Sequence, residues 1–323
     1  MQLFGLGASH DFATAIAQTL GIALSAHEER EFDGGEHKAR PLVSVRGADV
    51  YIVHGLYGEP DQSCNDKLCR LLFFAATMAD HGAARVTAVV PYLAYGRKDR
   101  RTQPRDPVTT RYIAQLFEAV GIDRIVTLEA HNLAAFENAF RCQTVHLDTR
   151  PLFAPIAKAL AADGPLVVAS PDPGGIKRAQ LFREYLETVT GSAVDAAFMD
   201  KRRARGVVSG QRLVGEVARR SVLILDDLIG SGTTMARAAA ACHAAGANAV
   251  YALAAHGLFS DEASQVLADP ALTRTFVTDS VAPFRLASDL VPTRIATVSA
   301  APLFARALQR LHDGGSISAL FQP

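Results

Sequence analysis

Two adjacent carboxylates, Asp226 and Asp227, follow the apolar residues 222–225 and precede a turn of small residues that leads into an Ala-rich segment. The turn consists of Gly230, Ser231, Gly232, Thr233 and Thr234. Paired carboxylates can accept a hydrogen bond from each of two ribose hydroxyls, and backbone N–H groups at a helix N-terminus can bind a phosphate. The pattern therefore predicts a sugar-phosphate site. An ordinary capped turn is the alternative, although such turns seldom need two acids after a buried strand.

A cationic segment follows another apolar run and contains Arg97, Lys98, Asp99, Arg100 and Arg101. A guanidinium fork held behind a Pro- and Gly-containing turn can bind phosphate oxygens in a bidentate manner. We therefore expect Arg97 to contact a polyphosphate. A solvated charged loop is the alternative, and it suits Arg100 and Arg101 best.

Two single polar residues also follow apolar runs. His131 comes after residues 124–129, and Asp172 comes after residues 166–170, on a glycine-containing turn. Because Mg2+ prefers oxygen ligands, the residues alone favour a core or surface histidine at position 131. A helix cap is the alternative role for Asp172.

Lys201 and Arg203 begin a stretch, residues 202–211, that is rich in Gly, Ser and Arg. Positive charge on a loop that closes over reacting phosphates can stabilise the transferred group and exclude water, which would compete as a nucleophile. We expect a catalytic role for Lys201 and Arg203. A generic basic hairpin is the alternative.

The elements that position these residues are short apolar runs alternating with longer Ala- and Leu-rich segments of helical period. This alternation is typical of an α/β fold, in which helical crossovers join parallel strands and ligands bind beyond the carboxyl ends of the strands. The predicted strands are residues 50–54, 85–91, 124–129, 166–170, 222–226, 249–254 and 274–278. The predicted helices are residues 9–20, 65–81, 109–119, 150–161, 175–187, 233–245 and 302–312.

The chain of 323 residues is too long for one ordinary core. Pro and Gly interrupt the alternation near residues 145–155 and 163–165, so we place a domain boundary near position 147. We predict one α/β domain over residues 1–147 and another over residues 148–303, with residues 304–323 packing back on the first.

Composition limits the partners. Lys+Arg and Asp+Glu are each 33, so the formal net charge is zero and no general basic field would hold a nucleic acid. No apolar stretch approaches the roughly 18 to 20 residues of a membrane span, and the N-terminus lacks a signal-peptide pattern. Cys64, Cys69, Cys142 and Cys242 lack metal-ligand spacing. The simplest interpretation is a cytoplasmic protein with neither nucleic acid nor membrane as partner.

Four further segments carry a resemblance to one family, the phosphoribosyl pyrophosphate synthetases (ribose-phosphate pyrophosphokinases). Residues 91–100, Pro-Tyr-Leu-Ala-Tyr-Gly-Arg-Lys-Asp-Arg, resemble its Pro-Tyr-x-x-Tyr-Ala-Arg-Gln-Asp-Lys segment, and residues 170–175 resemble its Ser-Pro-Asp-x-Gly-Gly. Residues 200–203 match its Asp-Lys-Arg-Arg, and residues 316–321 resemble its Ser-Val-Ser-Tyr-Leu-Phe. The turn after the acid pair is similar to the ribose-phosphate loop that type I phosphoribosyltransferases share with the synthetases. The resemblance covers nearly the full length.

The resemblance implies two phosphoribosyltransferase-type I (Rossmann-like) domains, with mainly parallel sheets and helices on both faces. It also implies a ribose-phosphate diphosphokinase, which transfers the β,γ-diphosphate of Mg-ATP to the C1 hydroxyl of ribose 5-phosphate. Two alternatives stay open. One is a phosphoribosyltransferase, and the other is a non-catalytic regulatory homologue that binds authentic synthetase subunits.

The resemblance assigns roles to the candidates. His131 and Asp172 would bind Mg2+, and Lys201 and Arg203 would be catalytic. Ribose 5-phosphate would be bound by Asp172, Asp226, Asp227, Gly230, Ser231, Gly232, Thr233 and Thr234. ATP would be bound by Phe32, Gly34, Glu36, Arg97, Lys98, Asp99 and His131. No P-loop motif is present in the sequence, so cationic side chains, Mg2+ and stacking would hold the nucleotide.

Residues 31–36 resemble the family's Arg-Phe-Ser-Asp-Gly-Glu, which reaches into a neighbouring subunit's active site. Phe32 would stack on adenine, although a lone Phe is as often a core residue. The resemblance thus implies a homo-oligomer of at least two subunits, with a hexamer as the larger option.

The sequence departs from the family at several points. Gly230 stands where the family's ribose-phosphate loop usually begins with an acid, Lys98 replaces the usual Gln, and residues 54–64 are longer than the corresponding loop. A regulatory phosphate or ADP site is implied by matches at Ser44, Arg46, Ser316 and Ser318.

Overall fold

The structure of the protein is a computed structural model that describes residues 1–204 and 207–322; for residues 201–211 and Pro292 no side chain is described. The strands are β1 (Gln2–Gly5), β2 (His27–Glu31), β3 (His37–Pro41), β4 (Asp49–Val53), β5 (Arg85–Val90), β6 (Arg124–Leu128), β7 (Gln143–Leu147), β8 (Leu166–Ser170), β9 (Asp195–Ala204), β10 (Val207–Val214), β11 (Ser221–Ile229), β12 (Ala249–Gly257), β13 (Arg274–Thr278) and β14 (Ile295–Val298). The helices are α1 (His10–Leu20), α2 (Cys64–Asp80), α3 (Thr109–Ala119), α4 (Leu133–Ala139), α5 (Arg150–Ala161), α6 (Ile176–Thr190), α7 (Thr233–Ala244), α8 (Ala263–Leu267), α9 (Leu290–Arg294) and α10 (Ala301–Asp313).

The chain forms two compact units. The first contains Met1–Asp148 together with Ala300–Leu320, and the second contains Thr149–Ser299. The amphipathic helix α10 belongs to the first unit because its apolar face packs on α1, where the rings of Phe12 and Phe304 meet edge to face at 5.4 Å. Burying that face stabilises a helix more than its intrinsic propensity does.

The first unit contains a parallel five-stranded sheet in the order β1-β4-β5-β6-β7. Its central strands are apolar on both faces because helices cover both sides of a parallel sheet. Phe4, Phe74 and Phe117 are fully buried in this core. Strands β5 and β6 are neighbours, so the segments that follow their carboxyl ends begin side by side. A separate antiparallel pair, β2 and β3, forms a hairpin.

The second unit contains a seven-stranded sheet in the order β10-β9-β8-β11-β12-β13-β14. The pair β9 and β10 is antiparallel, and the remaining pairs are parallel. The buried residues of β8, β11 and β12 are mostly Val, Leu, Ile and Ala, as expected for strands covered on both faces. The carboxyl ends of these strands therefore form one edge on which polar residues can converge.

The α/β fold predicted from the alternating runs is confirmed. Each predicted strand and helix is present, with ends shifted by at most three residues. Within residues 1–204 and 207–322, no helix combines the length and apolar character that a membrane crossing requires.

Candidate active site

The acid pair lies on a part of β11 that extends past its neighbour β8. The pairing with β8 ends where Ile224 lies opposite Ala169, whereas the pairing with β12 continues to the end of β11. Asp226 and Asp227 therefore stand at the carboxyl edge of the sheet, beyond the last residue of β11 that pairs with β8. Asp227 is 6% exposed, so little of its carboxylate is open to water.

Arg178, in the first turn of α6, contacts both carboxylates. Its Nη1 lies 3.4 Å from Oδ1 of Asp226 and 3.6 Å from Oδ1 of Asp227. Both acids lie within 4 Å of this one guanidinium, although neighbouring side chains of a regular strand point to opposite faces.

The proximity of the acids changes their ionisation. Burial, followed by the hydrogen bond and the charge of Asp227, raises the pKa of Asp226 to about 7, and Arg178 opposes the rise. Two carboxylates this close resist being charged together, so Asp226 keeps its proton to a higher pH than an isolated aspartate does.

Arg178 was not among the predicted site residues. The sequence does contain a signal: Arg178 follows the Gly174-Gly175 turn by about one helical turn, in a helix that begins at the carboxyl edge of a sheet. This signal is insufficient, because sequence alone does not show in which direction the side chains of the first helical turn point.

Backbone hydrogen bonds from the segment after β12 hold the start of the small-residue turn. The carbonyl of Ile229 accepts hydrogen bonds from the N–H groups of Leu258 and Phe259 at 3.0 and 3.1 Å, and that of Gly230 accepts one from Ser260 at 3.1 Å. The hydroxyls of Ser231 and Thr233 lie 2.9 Å apart. The turn therefore presents hydroxyls at the start of α7.

The two glycines of this turn differ in their surroundings. Gly232 has φ +80°, and an added Cβ would lie 2.9 Å from Leu267 Cδ2, so only glycine fits there without strain. An added Cβ at Gly230 would meet nothing within 4 Å. The missing family acid at Gly230 is thus not a consequence of crowding.

Asp172 caps the turn that leads into α6. Its Oδ1 accepts hydrogen bonds from the N–H groups of Gly174 at 2.8 Å and Gly175 at 3.3 Å. An added Cβ at Gly175 would lie 2.7 Å from Ser170 Oγ, which explains the glycine. The capping role, left open from the sequence, is therefore present, and it orients the first turn of α6, which carries Arg178.

In the first unit, the structure brings the segments after β5 and β6 together. Asp99 Oδ2 accepts a hydrogen bond from Asn132 Nδ2 at 2.8 Å and lies 3.8 Å from His131 Nδ1. The Asp99 side chain is 5% exposed, whereas His131 and Arg97 are exposed. A buried acid thus joins the Arg97 segment to the His131 segment. Asn132 is a second residue that the sequence did not single out.

Backbone strain accompanies the Arg97 segment. Tyr95 has φ +63°, an unfavourable conformation for a bulky residue, and its hydroxyl contacts the Asn65 side chain. Its carbonyl accepts hydrogen bonds from Thr110 Oγ1 at 2.9 Å and from the N–H of Lys98 at 3.1 Å. Such strain persists only where the surroundings over-determine it, so the position of Arg97 is closely defined.

Phe32, Gly34 and Glu36 lie at the tip of the β2–β3 hairpin. The N–H of Phe32 donates to the carbonyl of Glu36 at 2.8 Å, and Gly34 has φ +86°, which closes the turn. The Phe32 side chain is 42% exposed. The hairpin therefore carries a large apolar side chain at its exposed tip. This is unlike a core phenylalanine, the alternative left open above.

The residues matched to a regulatory site also belong to the first unit. The carbonyl of Ser44 accepts a hydrogen bond from Gln2 Nε2 at 2.8 Å, and the hydroxyls of Ser316 and Ser318 lie 2.9 Å apart. Arg46 lies near Gly82, whose added Cβ would be 3.6 Å from Arg46 Nη1.

Lys201 and Arg203 lie in β9, but their side chains lie outside the described residues. Their catalytic role stays a prediction.

The acids and the histidine suit one mode of Mg2+ binding. Among the described residues, no group of three or more His, Cys, Asp and Glu side chains is placed to hold a metal. Mg2+ usually takes one or two protein ligands and completes its shell with water and substrate phosphates. His131 of the first unit and Asp172 of the second unit are each compatible with such single-residue ligation.

Comparisons with known proteins agree on one family. The family model described as the N-terminal domain of ribose phosphate pyrophosphokinase matches residues 1–121, and that of the phosphoribosyl synthetase-associated domain matches residues 208–322. The chain is 33% identical to the ribose-phosphate pyrophosphokinase of Vibrio parahaemolyticus over 324 residues, covering 99% of each chain. It is 32% identical to that of Caldanaerobacter subterraneus over 322 residues, covering 99% of this chain and 98% of the relative.

A solved structure agrees over both units. The crystal structure of phosphoribosylpyrophosphate synthetase from Mycobacterium smegmatis superposes with a TM-score of 0.86 at 29% identity, covering 97% of this chain and 99% of that one. The acid pair, the small-residue turn and the two α/β units thus occur in a chain whose relatives match it from end to end, and this protein is an enzyme of the ribose-phosphate pyrophosphokinase family.

Proposed function

We propose that the protein transfers the β,γ-diphosphate of Mg-ATP to the C1 hydroxyl of ribose 5-phosphate, giving phosphoribosyl pyrophosphate and AMP. The observation that carries this proposal is the acid pair, held by one arginine and followed directly by a hydroxyl-bearing turn at a helix N-terminus. Ribose 5-phosphate carries neighbouring hydroxyls and a phosphate, which are the groups that the acid pair and the turn can bind.

The ribose end would be bound as follows. Asp226 and Asp227 accept hydrogen bonds from the ribose hydroxyls, and Arg178 keeps the two carboxylates together. The turn from Gly230 to Thr234 binds the 5-phosphate through hydroxyl and backbone N–H groups, assisted by the positive end of the α7 dipole. The exposed hydroxyl of Thr234 and the Ser231–Thr233 pair support this assignment.

The nucleotide end would be bound by the first unit. Arg97 provides an exposed guanidinium for the triphosphate, and buried Asp99 orients His131 through their proximity. Phe32 at the hairpin tip would stack on adenine in the site of another copy of the chain, with Gly34 and Glu36 beside it. A homo-oligomer of at least two subunits therefore belongs to the proposal, and the exposed tip supports it.

When bound, Mg2+ would neutralise part of the triphosphate charge, and His131 and Asp172 are the residues that would hold it. The protein's own contribution is positioning. In the transfer, the C1 oxygen forms a bond to the β-phosphorus while the bond from that phosphorus to the α,β-bridging oxygen breaks. AMP leaves with the bridging oxygen, and the hydroxyl proton is released. Lys201 and Arg203 are proposed to stabilise the negative charge on the transferred group.

The test is a measurement of AMP and phosphoribosyl pyrophosphate formed by the purified protein from Mg-ATP, with and without ribose 5-phosphate. We expect equal amounts of both products and dependence on both substrates. Asp227→Asn should raise the KM for ribose 5-phosphate more than the KM for ATP. Asp195→Asn is the matched control, because Asp195 is an acid of the same unit whose side chain is 61% exposed.

Other outcomes point to the alternatives. Consumption of phosphoribosyl pyrophosphate with a nucleobase would instead support a phosphoribosyltransferase. Binding of ATP and ribose 5-phosphate without any AMP formation would support a non-catalytic homologue. Trying several sugar phosphates, with phosphate present and absent, tests substrate preference and regulation in the same assay.

A further inference from the structure

One carboxylate oxygen in the first unit gathers four donors. Asp106 Oδ2 accepts hydrogen bonds from Lys98 Nζ at 2.7 Å, Thr102 Oγ1 at 2.7 Å, Thr102 N at 3.1 Å and Gln103 N at 3.0 Å. Lys98 Nζ also lies 3.4 Å from Thr102 Oγ1. We call Lys98, Thr102, Gln103 and Asp106 the clip, because together they close residues 98–106 into a loop.

The Lys98 end of the clip is also fixed through its backbone. Its N–H donates to the carbonyl of Tyr95 at 3.1 Å, and its carbonyl accepts a hydrogen bond from the N–H of Thr110 at 3.3 Å. Thr110 is buried in the first turn of α3. Lys98 is therefore held at three points, and Arg97 and Asp99 are its immediate neighbours in the chain.

This arrangement conflicts with the expectation that Lys98 binds ATP. Its ammonium is paired with a carboxylate that also satisfies two backbone N–H groups, so turning Lys98 toward a phosphate would leave that carboxylate without its cation. The Lys98 ammonium, with the hydroxyl and N–H of Thr102 and the N–H of Gln103, holds the pKa of Asp106 well below its usual range. The Asp106 carboxylate therefore stays charged at any assay pH near neutrality.

We propose that Lys98 is a positioning residue and not an ATP ligand: bound to Asp106, it closes the clip and thereby fixes Arg97 and Asp99 on either side of it. The role of Arg97 toward ATP rests on the proposed function. In this chain Lys98 stands where the family motif usually has glutamine.

A double-mutant cycle separates the two roles. Lys98→Met and Asp106→Asn each break the ion pair, but only Lys98→Met removes the ammonium. For a positioning residue, both variants raise the KM for ATP by a similar factor, on the order of tenfold. The double variant is then no worse than either single variant, and the KM for ribose 5-phosphate changes less than twofold. Lys158→Gln is the control, because Lys158 is an exposed lysine of the other unit.

Two results would overturn the proposal. If Asp106→Asn leaves the KM for ATP unchanged or lowers it while Lys98→Met raises it, the ammonium contacts ATP directly. If neither variant changes the KM for ATP, the clip does not position Arg97.

Hydrogen exchange tests the clip without any assay of activity. In the ligand-free protein, the amides of Thr102 and Gln103 should exchange faster in both variants than in the unaltered chain, because their acceptor is lost or released. Unchanged exchange in both variants would contradict the clip. Absence of AMP formation by the unaltered protein would refute the proposed function, whereas the exchange measurement stands independently of it.

Discussion

The guanidinium of Arg178 lies 3.4 Å from Asp226 and 3.6 Å from Asp227, so a single cation in the first turn of α6 compensates two adjacent acids of β11. The capping carboxylate of Asp172 makes this possible, because it fixes the direction in which α6 begins. The three acids and the arginine therefore act as one structural group at the edge of the second sheet.

The first prediction concerns this cation. Arg178→Gln should raise the KM for ribose 5-phosphate by roughly tenfold at pH 7.5, because the uncompensated pair retains a proton and accepts ribose hydroxyls less well. The KM for ATP should change little, and Arg178→Lys should recover part of the loss. Lys177→Gln, an exposed neighbour on the same helix, is the control. Unaltered ribose 5-phosphate kinetics in Arg178→Gln would remove Arg178 from the site.

The second prediction is a pH dependence of substrate binding. Burial and Asp227 raise the pKa of Asp226 to about 7, so its carboxylate becomes the better hydrogen-bond acceptor as pH rises through that value. The KM for ribose 5-phosphate should fall between pH 6 and pH 8. The substrate's own phosphate titrates near pH 6 and also contributes to the pH dependence of the KM. The contribution of Asp226 is the portion of that dependence that disappears in Asp226→Asn. An identical profile in that variant would be the contrary result.

The third prediction is the effect of the same group on stability. The folded-state pKa of Asp226 is raised from 3.8 to about 7, so the folded state binds more protons than the unfolded state between these values. The stabilisation from Asp226 is therefore fully present below pH 3.8 and is lost as pH rises through 7. Thermal unfolding without ligands should show the unaltered protein losing stability relative to Asp226→Asn from pH 5 to pH 8. A constant difference between the two would contradict this.

The fourth prediction contrasts the two glycines of the small-residue turn. Gly232→Ala should destabilise the second unit by roughly 1–3 kcal/mol, because it combines φ +80° with a 2.9 Å approach to Leu267. Gly230→Asp should leave the unfolding temperature within about 2 °C, because its Cβ meets open space. If both substitutions destabilise equally, the surroundings described for Gly230 are wrong. The kinetics of Gly230→Asp then show directly what the family's acid contributes.

The fifth prediction concerns Lys201, whose role rests on the sequence. Lys201→Ala should lower kcat by about 100- to 1,000-fold with a modest effect on the affinity for ribose 5-phosphate. The substitution removes the ammonium that we propose stabilises the negative charge on the transferred group. Lys158→Ala serves as the matched surface control. Unchanged turnover would exclude a catalytic role for Lys201.

Much of the fold could be predicted because its signals are local. The buried strands β5, β6, β8 and β11 are near-continuous apolar runs, and the helices between them carry a clear period. Two of the strands that were not predicted show why: β7 has residues of differing exposure at the edge of the first sheet, and β2 contains three glutamates in five residues. Tertiary contacts, more than composition, make these segments extended.

In the candidate site too, some features follow from local sequence and others from tertiary contacts. Residue type and order along one chain segment are sufficient to infer that Asp226, Asp227 and the turn from Gly230 to Thr234 stand after a buried strand at a helix start. Only the tertiary structure decided that Arg178 compensates the acids, that Asn132 holds Asp99, and that Lys98 turns to Asp106. The first two are pairings between side chains of separate elements, and the third closes a loop that is also held by Tyr95 and by Thr110 of α3. The directions of these side chains depend on packing, which is a property of the folded chain that no local pattern contains.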